Sequence, residues 1–381
     1  MTDELTLVTG WWPQKHDLVR TGDVYVRLFQ ELITNIDGVV PAVVYVDPSI
    51  EVRVRAMVDK HKHPDRVVVR PLPFEQLRFA QDRKRFEDLQ PATNSFSLRD
   101  TIEYAIIGWS KPWTVLAAAA EDPFGSSHFG WIDFGLAHLA DLYDVDWVEI
   151  ATESTRTKRV RICERMATDA KEVEDPWYFY SANSARVCGG MFSGPKSTLA
   201  DFAALFESEV ERMASTGSYT LEEHVMSAAT ALQPHLFEKW YADYWGILRN
   251  ARLIRRDVEL VISNLKHCRD SALWHNACDI TSLLLDSAEE YLHLSPEQCF
   301  HVLDCGLAAA VHADEDLARH LANTTLSLHH YSRVGRGMMR GTWRRSILES
   351  LKAMDLDFGQ RPWTWEEFSA QPDFRAWFSC F

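Results

Sequence analysis

Residues 127–135 read Ser-His-Phe-Gly-Trp-Ile-Asp-Phe-Gly, and this stretch decides the fold class of the chain. An apolar run at residues 129–132 ends in a single acid, Asp133, and a glycine follows two residues later. A buried strand that delivers a carboxylate at its C-terminal end is how α/β enzymes commonly present an acid to a metal or a phosphate. In the alternative interpretation Asp133 caps a helix at residues 136–142, since Asp is a preferred N-cap residue. The stretch predicts an α/β protein and leaves two roles open for Asp133.

The segment that precedes this stretch alternates between β-branched runs and helical periods. Residues 5–9, 41–46 and 66–70 are short apolar runs, and glycine or proline follows each of them closely. Amphipathic segments at residues 24–36 and 51–60 lie between these runs. Strands that alternate with helices predict a mostly parallel sheet covered by helices on both faces.

The segments around and after residue 127 are predicted to mix helices with a few more strands. Ser97 and Asp100 form a capping-box pattern at the start of one helix, and Pro112 is predicted to begin another. The further predicted strands lie at residues 147–151, 178–180 and 185–192. Helices are predicted at residues 199–213 and from Thr220 onward. After about residue 250 the pattern is continuously helical, which predicts a domain boundary there.

Composition excludes several classes of function. The chain has 381 residues and a net charge of −15, whereas nucleic-acid binding needs a basic surface to displace counterions from phosphates. None of the seven cysteines forms a CxxC pair, so the pattern favours reduced thiols over a zinc site or a disulfide framework. The acidic N-terminus lacks the features of a secretion signal, and no apolar stretch approaches the roughly 20 residues of a membrane span. We therefore expect a cytoplasmic protein without a transmembrane segment or a nucleic-acid partner.

Several segments, taken in order, carry a resemblance to a known family. They are Val8-Thr9-Gly10, Asn94-Ser95-Phe96, residues 109–113, Trp131-Ile132-Asp133-Phe134-Gly135, residues 189–194, Thr220-Leu221-Glu222-Glu223 and residues 243–250. In this order they resemble the HtrL/YibB-like proteins, which in turn resemble glycosyltransferases of the GT-A type. The resemblance covers roughly residues 5–250. It implies a GT-A-like, Rossmann-type nucleotide-sugar-binding domain over residues 1–250, followed by an all-helical extension over residues 251–381.

The resemblance also implies an activity. A GT-A enzyme transfers a sugar from a nucleotide-sugar donor, with UDP-sugars the first expectation, to an acceptor that the sequence does not identify. Surface-polysaccharide and natural-product assembly are the settings that such a transferase suits. The alternative is a non-catalytic protein that keeps the fold for binding or scaffolding.

A divalent metal is the cofactor that the resemblance implies. GT-A enzymes typically hold Mn²⁺ or Mg²⁺ with an Asp-x-Asp at the end of a strand, where the ion acts as a Lewis acid on the diphosphate. Here the matching site is Asp133-Phe134-Gly135, so the second acid is absent. Either metal dependence is lost or a second ligand comes from elsewhere, for which Asp243 is the candidate. A literal Asp-x-Asp at residues 144–146 precedes an apolar run, which would place it at the opposite edge of the sheet.

The acids expected to face the donor are Glu222 and Glu223, which match the family position at the start of a late helix. Glu223 has an alternative structural role, because Thr220 at the N-cap and Glu223 at the third helical position form a capping-box pattern. His224 is a further candidate base, since the ordinary pKa of histidine lies near neutrality.

The remaining candidate residues are expected to bind the nucleotide and its diphosphate. They are Thr9, Gly10, Trp11 and Trp12 at the end of the first strand, Gly189 and Gly190 in the glycine loop, and the basic residues Arg99 and Lys111. The alternatives are core packing for the tryptophans and solvent-exposed helix positions for the basic residues.

Two arginine-rich segments stand out in this acidic chain. Residues 156–165 are basic, which favours a solvated face over a phosphate contact. Arg333, Arg336, Arg340 and Arg344 share one face of a predicted helix. This stripe fits a salt-bridged surface, an acceptor-docking patch or a contact between copies of the chain in a homo-oligomer.

Overall fold

The computed structural model describes two compact units, Met1–Arg252 and Leu253–Phe381. The residues that it describes are 4–14, 22–92, 101–139, 142–143, 145–182, 186–290, 294–331 and 342–354, with residues 367, 369 and 371.

The first unit is built on a seven-stranded sheet. The strands that the structure describes in this unit are, in chain order, β1 (Leu5–Trp11), β2 (Ala42–Val46), β3 (Val67–Pro71), β4 (Gln90–Pro91), β5 (His128–Ile132), β6 (Val160–Glu164), β7 (Val187–Pro195), β8 (Ser218–Tyr219) and β9 (Phe237–Tyr241). The main sheet has the order β3-β2-β1-β5-β7-β6-β9, while β4 and β8 pair with each other. Strand β7 is antiparallel to both of its neighbours, and the other pairs in the main sheet are parallel. This confirms the predicted α/β fold with a mostly parallel sheet.

Helices cover both faces of this sheet. In chain order they are α1 (Gly22–Ile36), α2 (Glu51–Val58), α3 (Arg83–Phe86), α4 (Ile102–Glu121), α5 (Trp147–Arg156), α6 (Ala170–Val173), α7 (Pro176–Ala182), α8 (Lys196–Ala214) and α9 (Glu222–Leu232). Residues of α4, α8 and α9 pack with Phe129, Trp131 and Phe192 in one apolar core. Helices α1, α2 and α5 supply residues to the cores that contact β1, β2 and Ile132.

The strand order reverses between β1 and β5, which lie side by side. Their parallel register pairs Val8 with Trp131, so both strands end at the same edge of the sheet. The backbone N–H of Asp133 donates to Gly190 O at 2.9 Å, which brings the first residues of β7 to this edge as well. Ligands of open α/β sheets bind beyond the carboxyl ends of the strands at such a reversal. The fold therefore gathers Gly10, Asp133 and Gly190 where a ligand is expected.

Helix α4 differs from its prediction because it is one continuous helix with Pro112 inside it. Thr101 is its N-cap and accepts a hydrogen bond from Tyr104 N at 3.2 Å. The predicted capping residues Ser97 and Asp100 lie outside the described residues. Proline removes the N–H that would bond to the carbonyl of Gly108, but the rest of the buried helix packs well enough to continue.

Two predicted strands are helices. Residues 147–151 begin α5, where the side chain of Asp146 accepts hydrogen bonds from Val148 N and Glu149 N. Residues 178–180 lie in α7, which begins at a proline and is capped by Asp175 through Tyr178 N at 3.1 Å. In α5 the buried residues Trp147, Ile150 and Ala151 recur at helical spacing, whereas in α7 Phe179 and Tyr180 are buried and Trp177 and Tyr178 are exposed. A short aromatic run does not distinguish the two periods.

Two strands of the sheet were not predicted, namely β6 and β9. Their charged residues hide the strand pattern, because they pair across the two strands. Arg161 lies opposite Glu238 in the register and contacts it at 3.3 Å. Lys239 Nζ contacts Glu164 Oε1 at 2.6 Å.

The regular elements that the structure describes in the second unit are helices. Its helices are α10 (Val258–Asp270), α11 (Trp274–Glu290), α12 (Pro296–Ala313), α13 (Glu315–Tyr331) and α14 (Thr342–Ala353). Helix α12 packs against the other four of these helices. Its start is a capping box made by Ser295 and Gln298. In the described parts of both units, no helix is long and apolar enough to cross a membrane.

Candidate active site

The ammonium group of Lys111 is the centre of a buried charge cluster in the first unit. Lys111 lies in α4, and only 7% of its side chain is exposed. Its Nζ contacts Asp133 Oδ1 at 2.7 Å and Glu222 Oε1 at 2.5 Å, and it donates to Gly189 O at 3.0 Å. These acceptors account for the three N–H donors of a lysine ammonium. We call Lys111, Asp133 and Glu222 the Lys111 cluster.

The charge state of Lys111 follows from two opposing effects. Burial lowers the pKa of Lys111, but the charges and hydrogen bonds of Asp133 and Glu222 raise it further, so that the net shift is upward. Lys111 is therefore a fixed cation at physiological pH, and the cluster of two carboxylates and one ammonium carries one net negative charge.

Asp133 joins this cluster to the edge of the sheet. It directly follows β5, and its Oδ1 accepts a hydrogen bond from Trp131 Nε1 at 2.6 Å in addition to the contact with Lys111. Its side chain is 35% exposed. Across the described part of the chain, Asp133 Oδ2 has no hydrogen-bond or ion-pair partner. The prediction that the side chain of Asp133 caps a helix is wrong, since only a short 3₁₀ turn, Leu136–His138, follows.

Glu222 occupies a slot between two glycines. A Cβ on Gly108 would collide with Glu222 Oε2, and a Cβ on Gly189 would lie 2.9 Å from Glu222 Oε1. Gly108 stands one helical turn before Lys111 in α4, so the same helix provides the space for Glu222 and the cation that pairs with it. The absence of side chains at these two positions lets the carboxylate reach Lys111.

The start of α9 differs from the predicted capping box. Its N-cap is Leu221, which makes no side-chain cap hydrogen bond. Thr220 Oγ1 instead lies 3.1 Å from His224 Nδ1, and both residues are buried. Glu223 is half-buried, with its Cγ packed 3.0 Å from the position of a Cβ on Gly189. Glu222 is thus the acid of this pair that enters the Lys111 cluster.

The residues predicted at the end of β1 are mainly packing residues. Trp11 stacks between Tyr25 and Phe134, and Trp12 is 2% exposed and donates to Leu72 O at 2.7 Å. A Cβ on Gly10 would lie 2.6 Å from the Trp12 ring, so this glycine is required by the indole. The expectation of open tryptophan faces for a nucleotide base is corrected, because both rings are buried.

Three polar groups of the predicted binding residues lie at this edge. Thr9 is 2% exposed, and its Oγ1 has no hydrogen-bond partner among the described residues. Gly189 and Gly190 both act through their carbonyl groups, which accept from Lys111 Nζ and Asp133 N.

Asp243, the predicted second metal ligand, follows β9 and is paired elsewhere. Its Oδ1 contacts Arg165 Nε at 3.0 Å and accepts from Tyr244 N at 2.8 Å. Two intervening strands of the sheet, β7 and β6, separate β9 from β5, which Asp133 follows. Among the residues that the structure describes, no group of three His, Cys, Asp or Glu side chains could hold a metal ion.

Some predicted residues cannot be placed. Arg99, Asp144 and the arginine stripe at Arg333, Arg336 and Arg340 lie outside the described residues, and nothing is described of the side chain of Arg344. Asp146 serves as the N-cap of α5.

Sequence reasoning missed Gly108 and Trp131 as members of the site. The signal for Trp131 was its position two residues before Asp133, since alternate residues of a strand point to the same face. Gly108 carried a weaker signal, namely a glycine inside an apolar helix one turn from a buried lysine.

Comparison with known proteins gives one match. A family model described as "Bacterial protein of unknown function (HtrL_YibB)" matches residues 4–252, which include the whole Lys111 cluster. Neither the curated proteins nor the solved structures contain a match. The family model covers more than half of the length of this chain, and the chain therefore belongs to the HtrL/YibB family.

Proposed function

We propose that this protein is a glycosyltransferase that takes its sugar from a nucleotide-sugar donor, with UDP-sugars the first to test. The observation that carries the proposal is the placement of the Lys111 cluster. A half-exposed carboxylate with one open oxygen stands at the carboxyl edge of a mostly parallel sheet, where the strand order reverses. The buried ammonium group of Lys111 contacts this carboxylate, and the buried carboxylate of Glu222 holds Lys111 in place.

The chemistry of glycosyl transfer matches the needs of such a site. An acceptor hydroxyl attacks the anomeric carbon, the bond from that carbon to the diphosphate oxygen breaks, and the hydroxyl proton must go to a base. Asp133 is our candidate for the group that contacts the reacting sugar, because its Oδ2 has no hydrogen-bond or ion-pair partner in the described part of the chain. A rigid carboxylate lowers the entropic cost of alignment.

Lys111 and Glu222 act through Asp133. Every N–H donor of Lys111 already has an acceptor, and Glu222 is only 8% exposed. We therefore assign both as positioning residues, while Glu223 and His224 remain untested candidates beside them.

A second candidate function is a non-catalytic binding module. It is favoured by the internal pairing of charges, since Asp133 with Lys111 and Asp243 with Arg165 are contacts that the chain makes without any ligand. Such a protein would bind a nucleotide sugar without turning it over. A cytoplasmic location and a homo-oligomer also stay predictions.

Thermal unfolding in the presence of UDP-, GDP- and TDP-sugars tests the proposal. A ligand at about 100 times its Kd should stabilise the folded protein by about 2.7 kcal/mol. The wild-type protein and Asp133→Asn should both show the shift with one donor, and only the wild type should consume it. No shift with any of these donors would contradict both candidate functions, and a shift without consumption by the wild type in the presence of candidate acceptors would favour the binding module.

A further inference from the structure

The two carboxylates predicted to hold a divalent metal are each paired with a cation of the chain. Asp133 lies 2.7 Å from Lys111 Nζ, and Asp243 lies 3.0 Å from Arg165 Nε. The third acid near Asp133 is Glu222, whose Oε1 also contacts Lys111. The negative charge that would attract a metal is therefore largely balanced within the protein.

The position of the missing second acid is closed by aromatic packing. A Cβ on Gly135 would lie 3.0 Å from Tyr25 Cε1 and 3.1 Å from Tyr25 Cδ1. Phe134 is fixed beside it, with its ring stacked on Phe29 at a centroid distance of 4.2 Å. A side chain at position 135 would have to shift the Tyr25 ring by a few tenths of an ångström, so the packing disfavours a carboxylate there.

Among the residues that the structure describes, Asp133 keeps one carboxylate oxygen for a metal. Asp133 Oδ1 already accepts from Trp131 and Lys111, which leaves Oδ2. Mg²⁺ prefers octahedral coordination by oxygen, and an ammonium beside the same carboxylate repels a second cation. The residues present do not fit the divalent metal that a GT-A enzyme typically uses.

We infer, on the basis of the proposed glycosyl transfer, that Asp133 accepts a sugar hydroxyl through Oδ2 and that nucleotide binding needs no divalent metal. Lys111 is the resident cation of the site and acts as a positioning residue. Because the Lys111 cluster carries one net negative charge, a neutral hydroxyl is a better partner for it than a diphosphate is.

The diphosphate then needs a cation elsewhere at the same edge. Arg165 directly follows β6, whose carboxyl end lies at the same edge as that of β5 because both strands are antiparallel to β7. Two strand spacings, about 10 Å, separate the backbones of the two strands. The side chain of Arg165 is 35% exposed and contacts Asp243 through Nε. A guanidinium has five N–H donors, so it can contact a carboxylate and a phosphate oxygen at the same time.

Calorimetric titration of the full chain with UDP, GDP and TDP tests this inference, with each nucleotide measured in EDTA and in Mn²⁺. Three proteins are compared: the wild type, Asp133→Asn and the control Asp122→Asn. Asp122 forms a similar pair with Lys196 at 2.6 Å but stands before β5, at the opposite edge.

The expected result is that one nucleotide binds all three proteins with Kd values that agree within about threefold, both in EDTA and in Mn²⁺. Asp133→Asn should nevertheless lose consumption of the matching sugar nucleotide, while Asp122→Asn keeps it. The inference would be overturned if the wild type bound the nucleotide more than threefold more weakly in EDTA than in Mn²⁺, or if Asp133→Asn alone bound it more than threefold more weakly than the wild type. Either result would leave the glycosyltransferase proposal standing. Failure of every nucleotide to bind in both conditions would remove the proposed function, and the inference with it.

Discussion

Two buried charge clusters in the first unit differ in what they leave open. The Lys111 cluster joins α4, β5 and α9 at the carboxyl edge of the sheet. A second cluster, which we call the Glu209 cluster, consists of Tyr180, Glu209 and Arg212 between α7 and α8. Glu209 Oε2 accepts from Tyr180 at 2.9 Å and from Arg212 Nε at 2.8 Å, and Arg212 also donates to Val173 O at 2.7 Å.

The comparison teaches that a buried ion pair does not by itself indicate a functional site. Both clusters have a nearly inaccessible acid and a partner cation, and both perturb pKa values. Burial first, and then the charge of Glu209, raises the pKa of Tyr180. The Glu209 cluster, however, joins α7, α8 and the carbonyl of Val173, and contains no residue that ends a strand. The Lys111 cluster is different because it has an open oxygen at the strand-order reversal.

The largest effect is expected from Lys111→Met. This change leaves Glu222 buried without a counter-charge, so the free energy of unfolding should fall by about 3–5 kcal/mol. Urea unfolding of the first unit measures it. The control Lys196→Met breaks an exposed pair and should cost no more than about 1 kcal/mol. Equal losses in the two variants would mean that the Lys111 cluster is not the buried ionic centre described above.

Glu209→Gln tests whether the Glu209 cluster has a purely structural role. It removes the charge from two hydrogen bonds to Arg212 and Tyr180, which should cost about 1.5–3 kcal/mol in the free energy of unfolding. Nucleotide binding, measured by calorimetry, should not change, since the Glu209 cluster contains none of the residues assigned to the site. A variant that folds but no longer binds the nucleotide would erase the distinction between the two clusters.

Gly108→Ala sharpens the assignment of the slot that holds Glu222. In an exposed helix this change would stabilise by up to about 1 kcal/mol. Here the added methyl group collides with Glu222, and we expect a net loss of about 1–2 kcal/mol. The loss should shrink in the Glu222→Ala background, because the two residues are in contact. Additive effects in this double-mutant cycle would argue against the slot.

The smallest effect on stability is expected from Asp133→Asn. Asp133 is part-exposed, so loss of its ion pair should change the free energy of unfolding by no more than about 1 kcal/mol. Its effect on turnover should be much larger, at least about 100-fold, if it serves the reacting hydroxyl. Measuring unfolding and donor consumption on the same sample separates the two. A large loss of stability would move Asp133 into the same structural class as Glu209.

The sequence could predict the elements that carry simple patterns. The β-branched runs of β1, β2 and β3, and the acid that ends β5, gave the sheet and the position of Asp133 directly. Strands β6 and β9 could not be predicted in this way, because Arg161 and Glu238 are charged residues that are satisfied only by pairing across the two strands. Trp147 and Tyr178 were assigned to strands because aromatic residues prefer β structure. In the structure the local caps, Asp146 and Asp175, outweigh that preference and both segments are helices.

The site was only partly predictable for a similar reason. Asp133 was chosen from its strand-end position, Lys111 from its charge and Glu222 from the family position, for separate roles at the metal, the diphosphate and the donor. Their mutual contact depends on Gly108 and Gly189, which are far apart in sequence and matter only through the space that they leave. Trp11 and Trp12 follow the right strand, but the cores beneath α1 and α4 bury both rings.

The central claim is that Asp133 serves glycosyl transfer. The most direct measurement is the release of free nucleoside diphosphate from the UDP-, GDP- or TDP-sugar that binds, compared among the wild type, Asp133→Asn and Asp122→Asn. The account predicts release by the wild type and by Asp122→Asn, and at least about a 100-fold slower release by Asp133→Asn. Equal release by Asp133→Asn and the wild type would contradict it.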